Sequence, residues 1–254
     1  MRKLAKRMCS AVLAAGLVCG CILPASAAEA EEEARVLQYE TAEPVSAVVV
    51  DAEYADVVIQ PGQTDKITVE SAADAWGTFS YDCTVADGVL TVDVDGVEPK
   101  EYREYTQIGP FRILSSYMSP FYRNTVTITL PNKMYDSIQV ETASGSIQLR
   151  GIQSQTAWLT TEYGDIVLSG AQPQKLTLES KYGDVVFDQA AVTQCEGTTK
   201  YGDVTGTIAG SQSSYSTSTA VEYGDSNLRA QIGDGVHALA FNTKYGDIDV
   251  DFTA

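Results

Sequence analysis

Histidine is almost missing: His237 is the only one in 254 residues. That scarcity argues against imidazole-based metal sites and against Ser/His or Cys/His catalysis. Basic residues are also few, with 17 Lys+Arg against 34 Asp+Glu and a net charge of −17. Phosphate-backbone binding needs a basic face, so nucleic acid is excluded as a partner. Of five cysteines, Cys9, Cys19 and Cys21 sit in the first apolar stretch. Only Cys83 and Cys195 remain, far apart in sequence, which rules out a disulfide-stapled scaffold and does not favour a bridge. No stretch after the N-terminus is long and apolar enough to cross a bilayer. What is present is 44% hydrophobic residues, enough for a core, and 14 tyrosines, an excess that is periodic.

The N-terminus reads as a targeting signal. Arg2, Lys3, Lys6 and Arg7 precede an apolar run from Met8 to Leu23, Pro24 breaks it, and Ala25-Ser26-Ala27 has the A-x-A form of a cleavage site. Residues 1–27 are expected to be removed, leaving 13 basic against 34 acidic residues and a charge of −21. A competing reading is lipidation. Val18-Cys19-Gly20-Cys21 resembles a lipobox, which would anchor the protein to a membrane through Cys21. Residues 28–43 are acidic and poor in large apolar groups, so they read as a flexible leader.

Self-similarity decides the fold class. Tyr-Gly-Asp begins at Tyr163, Tyr182, Tyr201, Tyr223 and Tyr245, and Ser144-Gly145-Ser146 and Tyr54-Ala55-Asp56 are variants of the same turn. Apolar residues alternate on both sides. Six residues before the corner stand Val48, Ile138, Ala157, Leu176, Cys195, Thr217 and Leu239. Three after it stand Val57, Ile147, Ile166, Val185, Val204, Ser226 and Ile248. Period-two alternation around a glycine turn is a strand–corner–strand unit, and so short a unit cannot bury its own face. Copies must stack. The expectation is an all-β, single-stranded β-solenoid with 19–22-residue coils and a strand-rich N-terminal part. Residues 44–131 form that part, with an aromatic insertion at 95–123, and 132–254 form the repeats. Residues 44–254 are expected to be one continuous domain.

Several details follow. The longer last two intervals place loops at 206–216 and 229–238. The coil with inward Thr217, Thr219 and Ser226 should be the first to open. Asp87-Gly88 marks a hairpin between Phe79–Thr84 and Val89–Val94. The last strand, with Asp247, Asp249 and Asp251 outward, is expected to be an open edge suited to β-augmentation.

Stacking turns each corner position into a column. Gly supplies a φ > 0 corner. Tyr163, Tyr182, Tyr201, Tyr223 and Tyr245 are either core or an outward aromatic strip for a sugar or protein, since a corner releases them from strand parity. Asp165, Asp184, Asp203, Asp225 and Asp247 would repel at about 3.5 kcal/mol per neighbouring pair for an effective dielectric of 20. Turn hydrogen bonds, lysines or calcium could offset that, and turn bonding is the preferred reading, with calcium second. The position before Tyr reads Glu162, Lys181, Lys200, Glu222, Lys244, and three of its four steps pair opposite charges. The Thr/Ser column two before Tyr is expected to bond the corner backbone from inside. Cys195 falls in a core column and His237 in a loop. A second surface holds Tyr102, Tyr105, Phe111, Arg112, Tyr117, Phe121 and Tyr122, either a partner patch or, preferably, a lid on the N-terminal end of the stack.

The repeated turn, seen in Thr142-Ala143-Ser144-Gly145-Ser146-Ile147 and Thr161-Glu162-Tyr163-Gly164-Asp165-Ile166, resembles that of the bacterial "putative adhesin" family of β-strand-repeat proteins of unknown function. The strand ending Val126-Thr127-Ile128-Thr129-Leu130-Pro131 is similar to that family too. The resemblance spans about residues 45–252. It implies a β-solenoid that is exported or held at the cell envelope, and it carries over no catalytic or ligand residue and no cofactor. Tyrosine at the corner departs from the usual small residue. The expected role is non-enzymatic adhesion, interaction or structure at the cell surface, with an unidentified protein or glycan as partner. A polysaccharide-active β-helix enzyme and a calcium-stabilised roll are the alternatives.

Overall fold

The computed structural model describes residues 37–71, 79–96, 102–108, 111–118 and 124–253, with the backbone path alone for 102–108 and 111–118. The signal segment 1–27, Cys21 and the leader as far as residue 36 lie outside the described residues. Leu37 onward belongs to a compact unit spanning Glu33–Ala254. The described residues hold twenty strands, one 3-10 turn at Gln212–Ser214 and no α-helix.

In the repeat region the corners at Ser144, Tyr163, Tyr182, Tyr201 and Tyr245 each join a strand of one sheet to a strand of the other, whereas the Tyr223 corner leads only to an isolated bridge between Ser226 and Ile248. The first members are β10 (Met134–Thr142), β12 (Gln153–Thr161), β14 (Gln172–Ser180), β16 (Gln194–Thr199), β18 (Tyr215–Tyr223) and β19 (His237–Tyr245). Their followers in the second sheet are β11 (Ile147–Arg150), β13 (Ile166–Ser169), β15 (Val185–Ala190), β17 (Val204–Ala209) and β20 (Ile248–Thr253). Equivalent positions pair in parallel: Ile138 faces Ala157, Ala157 faces Leu176, and Leu176 faces Cys195. The expected inward columns are the core, with Ile138, Leu159, Leu168 and Val185 fully buried. Each such aliphatic contributes about 1.5–3 kcal/mol by leaving water.

Upstream, β2 (Ala47–Ala52) and β3 (Ala55–Gly62) form a rung that pairs with β10 and β11 across some ninety residues of sequence, Val50 with Val140 and Val57 with Ile147. The next rung outward is β6 (Val89–Gly96) and β9 (Asn124–Pro131). Beyond it the pairing turns antiparallel. The sheet edges there are β5 (Phe79–Ala86) on β6, and β4 (Ile67–Ser71) with β1 (Gln38–Thr41) on β9. Asp87 and Gly88, at φ 52° and 76°, make the expected two-residue turn between β5 and β6. The complete orders are β1-β4-β9-β3-β11-β13-β15-β17-β20 and β18-β19-β16-β14-β12-β10-β2-β6-β5.

The aromatic insertion occupies the corner between β6 and β9, where the neighbouring rung needs only Glu53 and Tyr54. Its strands β7 (Tyr102–Ile108) and β8 (Phe111–Met118) pair antiparallel with each other in a separate two-stranded sheet. The edge places at the N-terminal end are taken by β1 and β5.

The last two copies stack out of sequence order. β19 lies directly on β16, with Cys195 facing Leu239, and β18 lies outside it, with Thr217 facing Leu239. The longer intervals are therefore crossovers, over 210–214 and 224–236, rather than loops bulging from an ordered stack. The last strand, β20, is an edge strand as expected, but this end of the stack is partly covered. After β18 the chain folds beneath its own strand: Thr217 exchanges backbone hydrogen bonds with Gln231, the Thr217 hydroxyl donates to Arg229 O at 2.6 Å, and the Thr219 and Ser226 hydroxyls donate to Leu228 O at 3.3 Å. Leu228 is buried. The polar inward residues of this copy thus serve a cap. Asn227 covers the edge of β20, accepting from Val250 N–H at 3.0 Å and donating to Val250 O at 3.2 Å and Asp249 Oδ1 at 2.7 Å.

Candidate functional site: the corner ladder

At the corners the backbone ladder continues without a break, as in Tyr182 N–H to Glu162 O at 2.9 Å and Tyr201 N–H to Lys181 O at 3.0 Å. Strand spacing is thereby imposed on every corner side chain. From inside, hydroxyls fasten the turn. Thr161 Oγ1 accepts from Gly164 N–H at 3.0 Å and donates to Gly145 O at 3.0 Å, and Ser180 does the same between Gly183 and Gly164. Thr142, Thr161, Ser180, Thr199 and Thr243 are all buried, as expected of that column. The corner glycines serve a different purpose from the one expected. Only Gly224 has a positive φ, whereas a Cβ on Gly164, Gly183 or Gly202 would strike the backbone of the preceding rung. Close approach, rather than dihedral freedom, selects glycine there.

The tyrosines point outward. Tyr163, Tyr182, Tyr201, Tyr245 and Tyr223, in that spatial order, are 41–60% exposed and stack with centroids 4.9–5.0 Å apart and planes within 5° of parallel. Those separations are those of offset stacks. The ring faces cover one another, so the ladder presents ring edges and hydroxyls to solvent. Ser144 interrupts the column between Tyr163 and Tyr54.

Beside the rings the charged column also follows the spatial order: Glu162, Lys181, Lys200, Lys244, Glu222. Two of its four steps pair opposite charges instead of the expected three. Lys181 bonds Glu162 at 2.5 Å and Lys244 bonds Glu222 at 3.1 Å. The hydrogen bond from Lys181 holds the Glu162 carboxyl below its ordinary range and raises the lysine in turn. Lys181, Lys200 and Lys244 place their ammonium groups 5.2–5.5 Å from the ring centroids of Tyr182, Tyr201 and Tyr245, within cation–π reach.

On the other side run the aspartates. Asp165 Oδ1 accepts Asp184 N–H at 2.9 Å, Asp184 accepts Asp203 N–H at 2.8 Å, Asp203 accepts Asp247 N–H at 2.7 Å, and Asp247 accepts Asp225 N–H at 2.8 Å. Each carboxylate bonds the corner N–H of the next rung, which offsets the repulsion between neighbours. Asp56 begins the pattern by accepting Ser146 N–H at 2.7 Å.

Elsewhere, Tyr102, Tyr105, Phe111, Arg112 and Tyr117 fall on the β7–β8 hairpin, where the backbone path alone is described, and Phe121 and Tyr122 lie outside the described residues. Cys195 is buried, and burial pushes its thiol far above the usual range. Burial raises Cys83 to about 12, and both are free thiols. His237 opens β19, and its Nδ1 lies 2.7 Å from Asp234 Oδ2. Sequence reasoning missed two outward features of the sheet that contains β12. Trp158 is 41% exposed there, and Asp82, Asp93, Asp51 and Glu141 stand in register across four strands. Alternation showed that these residues face outward, but only the long-range pairing of β2 with β10 brings the acids together. Part of that row lines an open hollow of about 500 Å³ with Glu53, Asp95, Glu179 and Lys181.

The Toastrack DUF4097 family matches residues 45–254. The chain belongs to that family. A Toastrack assignment agrees with the resemblance carried by the corner motif and by the Val126–Pro131 strand. Among solved structures, the chain is similar to a putative cell adhesion protein from Clostridium sporogenes, with 9% identity, a TM-score of 0.43, and coverage of 86% of this chain and 100% of that one. It is also similar to a putative adhesin from Bacteroides fragilis, with 12% identity, a TM-score of 0.43, and coverage of 85% and 97%. A putative adhesin from Parabacteroides distasonis gives 11% identity, a TM-score of 0.41, and coverage of 86% and 98%. No curated protein matches the chain.

Proposed function

We propose that this Toastrack chain is an exported β-solenoid of 19–22-residue coils that works at the cell surface or envelope as a non-enzymatic interaction protein, with the tyrosine ladder as its contact surface. The outward exposure of five stacked rings carries the reading. Side chains of this kind are the residues that dominate interface energetics, and a contiguous aromatic strip left in water marks a binding surface more often than a structural one. The rungs beneath it are fastened by buried hydroxyls and backbone bonds, so the strip is held rigid and needs little ordering on contact. Export rests on the N-terminal signal, with cleavage after Ala27 or lipidation at Cys21 as its two forms.

The test is a screen of glycans and envelope proteins with the purified protein and with a Tyr182→Ala/Tyr201→Ala/Tyr245→Ala variant, while polysaccharide breakdown is assayed in parallel. Binding by the parent that falls at least tenfold in the variant, without breakdown, is the expected result. Polysaccharide cleavage overturns the non-enzymatic reading. Binding that the variant retains in full moves the surface elsewhere.

A further inference from the structure

Resting on that reading, we infer that the ladder's partner is a linear carboxylate-bearing polysaccharide, lying along the stack with its acid groups on Lys181, Lys200 and Lys244. The argument begins with the crossover. In sequence order Lys200 would lie beside Glu222, but with β19 placed between β16 and β18 it lies between Lys181 and Lys244. Three lysines then stand in consecutive rungs, whose strands are about 4.8 Å apart. Glu162 and Glu222 neutralise the outer two. Lys200 makes no ion pair among the described residues, and its ammonium group lies 5.2 Å from the Tyr201 ring centroid. In a chain of net charge −17 this column holds three lysines against two glutamates, with Lys200 as its unpaired cation.

The rings favour the same ligand. Stacking covers their negative faces and exposes their positive edges and hydroxyl groups, which suit an oxygen-rich, anionic partner better than an apolar one. Face-on sugar stacking is blocked along the run, so recognition here rests on edges, hydroxyls and lysines. The surface repeats at each rung, with ring centroids 4.9–5.0 Å apart, and an extended chain of pyranose units also repeats one ring at a time. The glutamates at both ends of the lysine run and the aspartate column alongside repel any polyanion, and most of all a densely charged phosphate backbone, whose binding needs a broad basic face.

The experiment measures binding of polygalacturonate and of its fully methyl-esterified form to the purified protein at low and at high salt. Parallel arms use double-stranded DNA and inorganic polyphosphate. Three variants are compared: Lys181→Gln/Lys200→Gln/Lys244→Gln, the exposed-lysine control Lys66→Gln/Lys133→Gln/Lys175→Gln, and the triple tyrosine variant above. Thermal melts establish that each is folded. Polygalacturonate is expected to bind, to bind the strip-lysine variant at least tenfold more weakly, and to bind the control unchanged, with the esterified polymer and the two phosphate polymers at least tenfold weaker on the parent. Equal losses in the two lysine variants, equal binding of the esterified polymer, preference for a phosphate polymer, or no binding of polygalacturonate each overturn the inference. If some other ligand is lost in the tyrosine variant but kept in the strip-lysine variant, the contact-surface reading stands and the carboxylate inference falls. If no ligand depends on the tyrosines, both fall.

Discussion

Replacing Gly183 with alanine sets a methyl group on the carbonyl of Gly164 in the preceding rung, a backbone atom that cannot turn aside. The expected cost is about 3 kcal/mol, read as a lowered denaturation midpoint. Gly170 is the informative contrast. Its φ is +59° and a methyl group there would meet nothing within 4 Å, so Gly170→Ala should cost only about 1 kcal/mol, from backbone conformation alone. Ser154 runs the other way. Its buried hydroxyl has no hydrogen-bond partner among the described residues, and Ser154→Ala is expected to stabilise the protein by about 1 kcal/mol. Asp234 supplies a pH dependence. Backbone N–H groups of His237 and Val236, with the His237 ring, hold its pKa at about 2 against an ordinary 3.8. A depressed carboxyl stabilises the fold fully above its unfolded pKa, and that contribution fades as pH falls through the folded value. The parent's melting temperature should therefore fall between pH 4 and pH 2 more steeply than that of Asp234→Asn.

Strand β18 is the element set apart from the other repeats. It is an outer strand with Thr217 and Thr219 where β14 carries Leu176 and Leu178, and its inward hydroxyls are spent on the segment that folds beneath it. Hydrogen exchange should open it first, with amides of Tyr215–Tyr223 exchanging at least tenfold faster than those of Gln172–Ser180, since stack ends have one neighbour and interior rungs two. Equal protection would show that the cap ties β18 as tightly as a rung. This element also marks where sequence reading succeeds and where it stops. Alternation about Tyr-Gly-Asp made the strands, the buried columns and the inward Thr/Ser hydroxyls legible, because these depend on period-two geometry within one copy. The polar positions of β18 pointed to a weak copy as well. That β19 slips between β16 and β18 is set by which neighbour buries Leu239 and Phe241 better, a choice between copies that share one motif. The column of lysines inherits this ambiguity, and so did the expectation of alternating charge. The direction of the tyrosines was hidden for another reason, since a corner breaks the parity from which inward and outward are read.

On the scale of the whole molecule the question is how a chain of net charge −17 tolerates five aspartates in a line. Neighbouring carboxylates at about 4.8 Å repel by about 0.9 kcal/mol in water and about 3.5 at an effective dielectric of 20, a range that a bound divalent ion would relieve. The hydrogen-bond pattern offers a relief that needs no ion. Asp165, Asp184, Asp203 and Asp247 each receive a backbone N–H from the next rung, and charge-assisted bonds of that kind contribute about 1.5–3 kcal/mol apiece. Taken with solvent screening at these exposed corners, the bonds match the repulsion they face. The melting midpoint of the protein in millimolar calcium should then coincide within a degree with that in chelator, while Asp184→Ala, which strips the acceptor from Asp203 N–H, lowers the midpoint equally in both. A midpoint that rises with calcium, and a rise that Asp184→Ala removes, would instead make the column an ion site and the N–H bonds its scaffold.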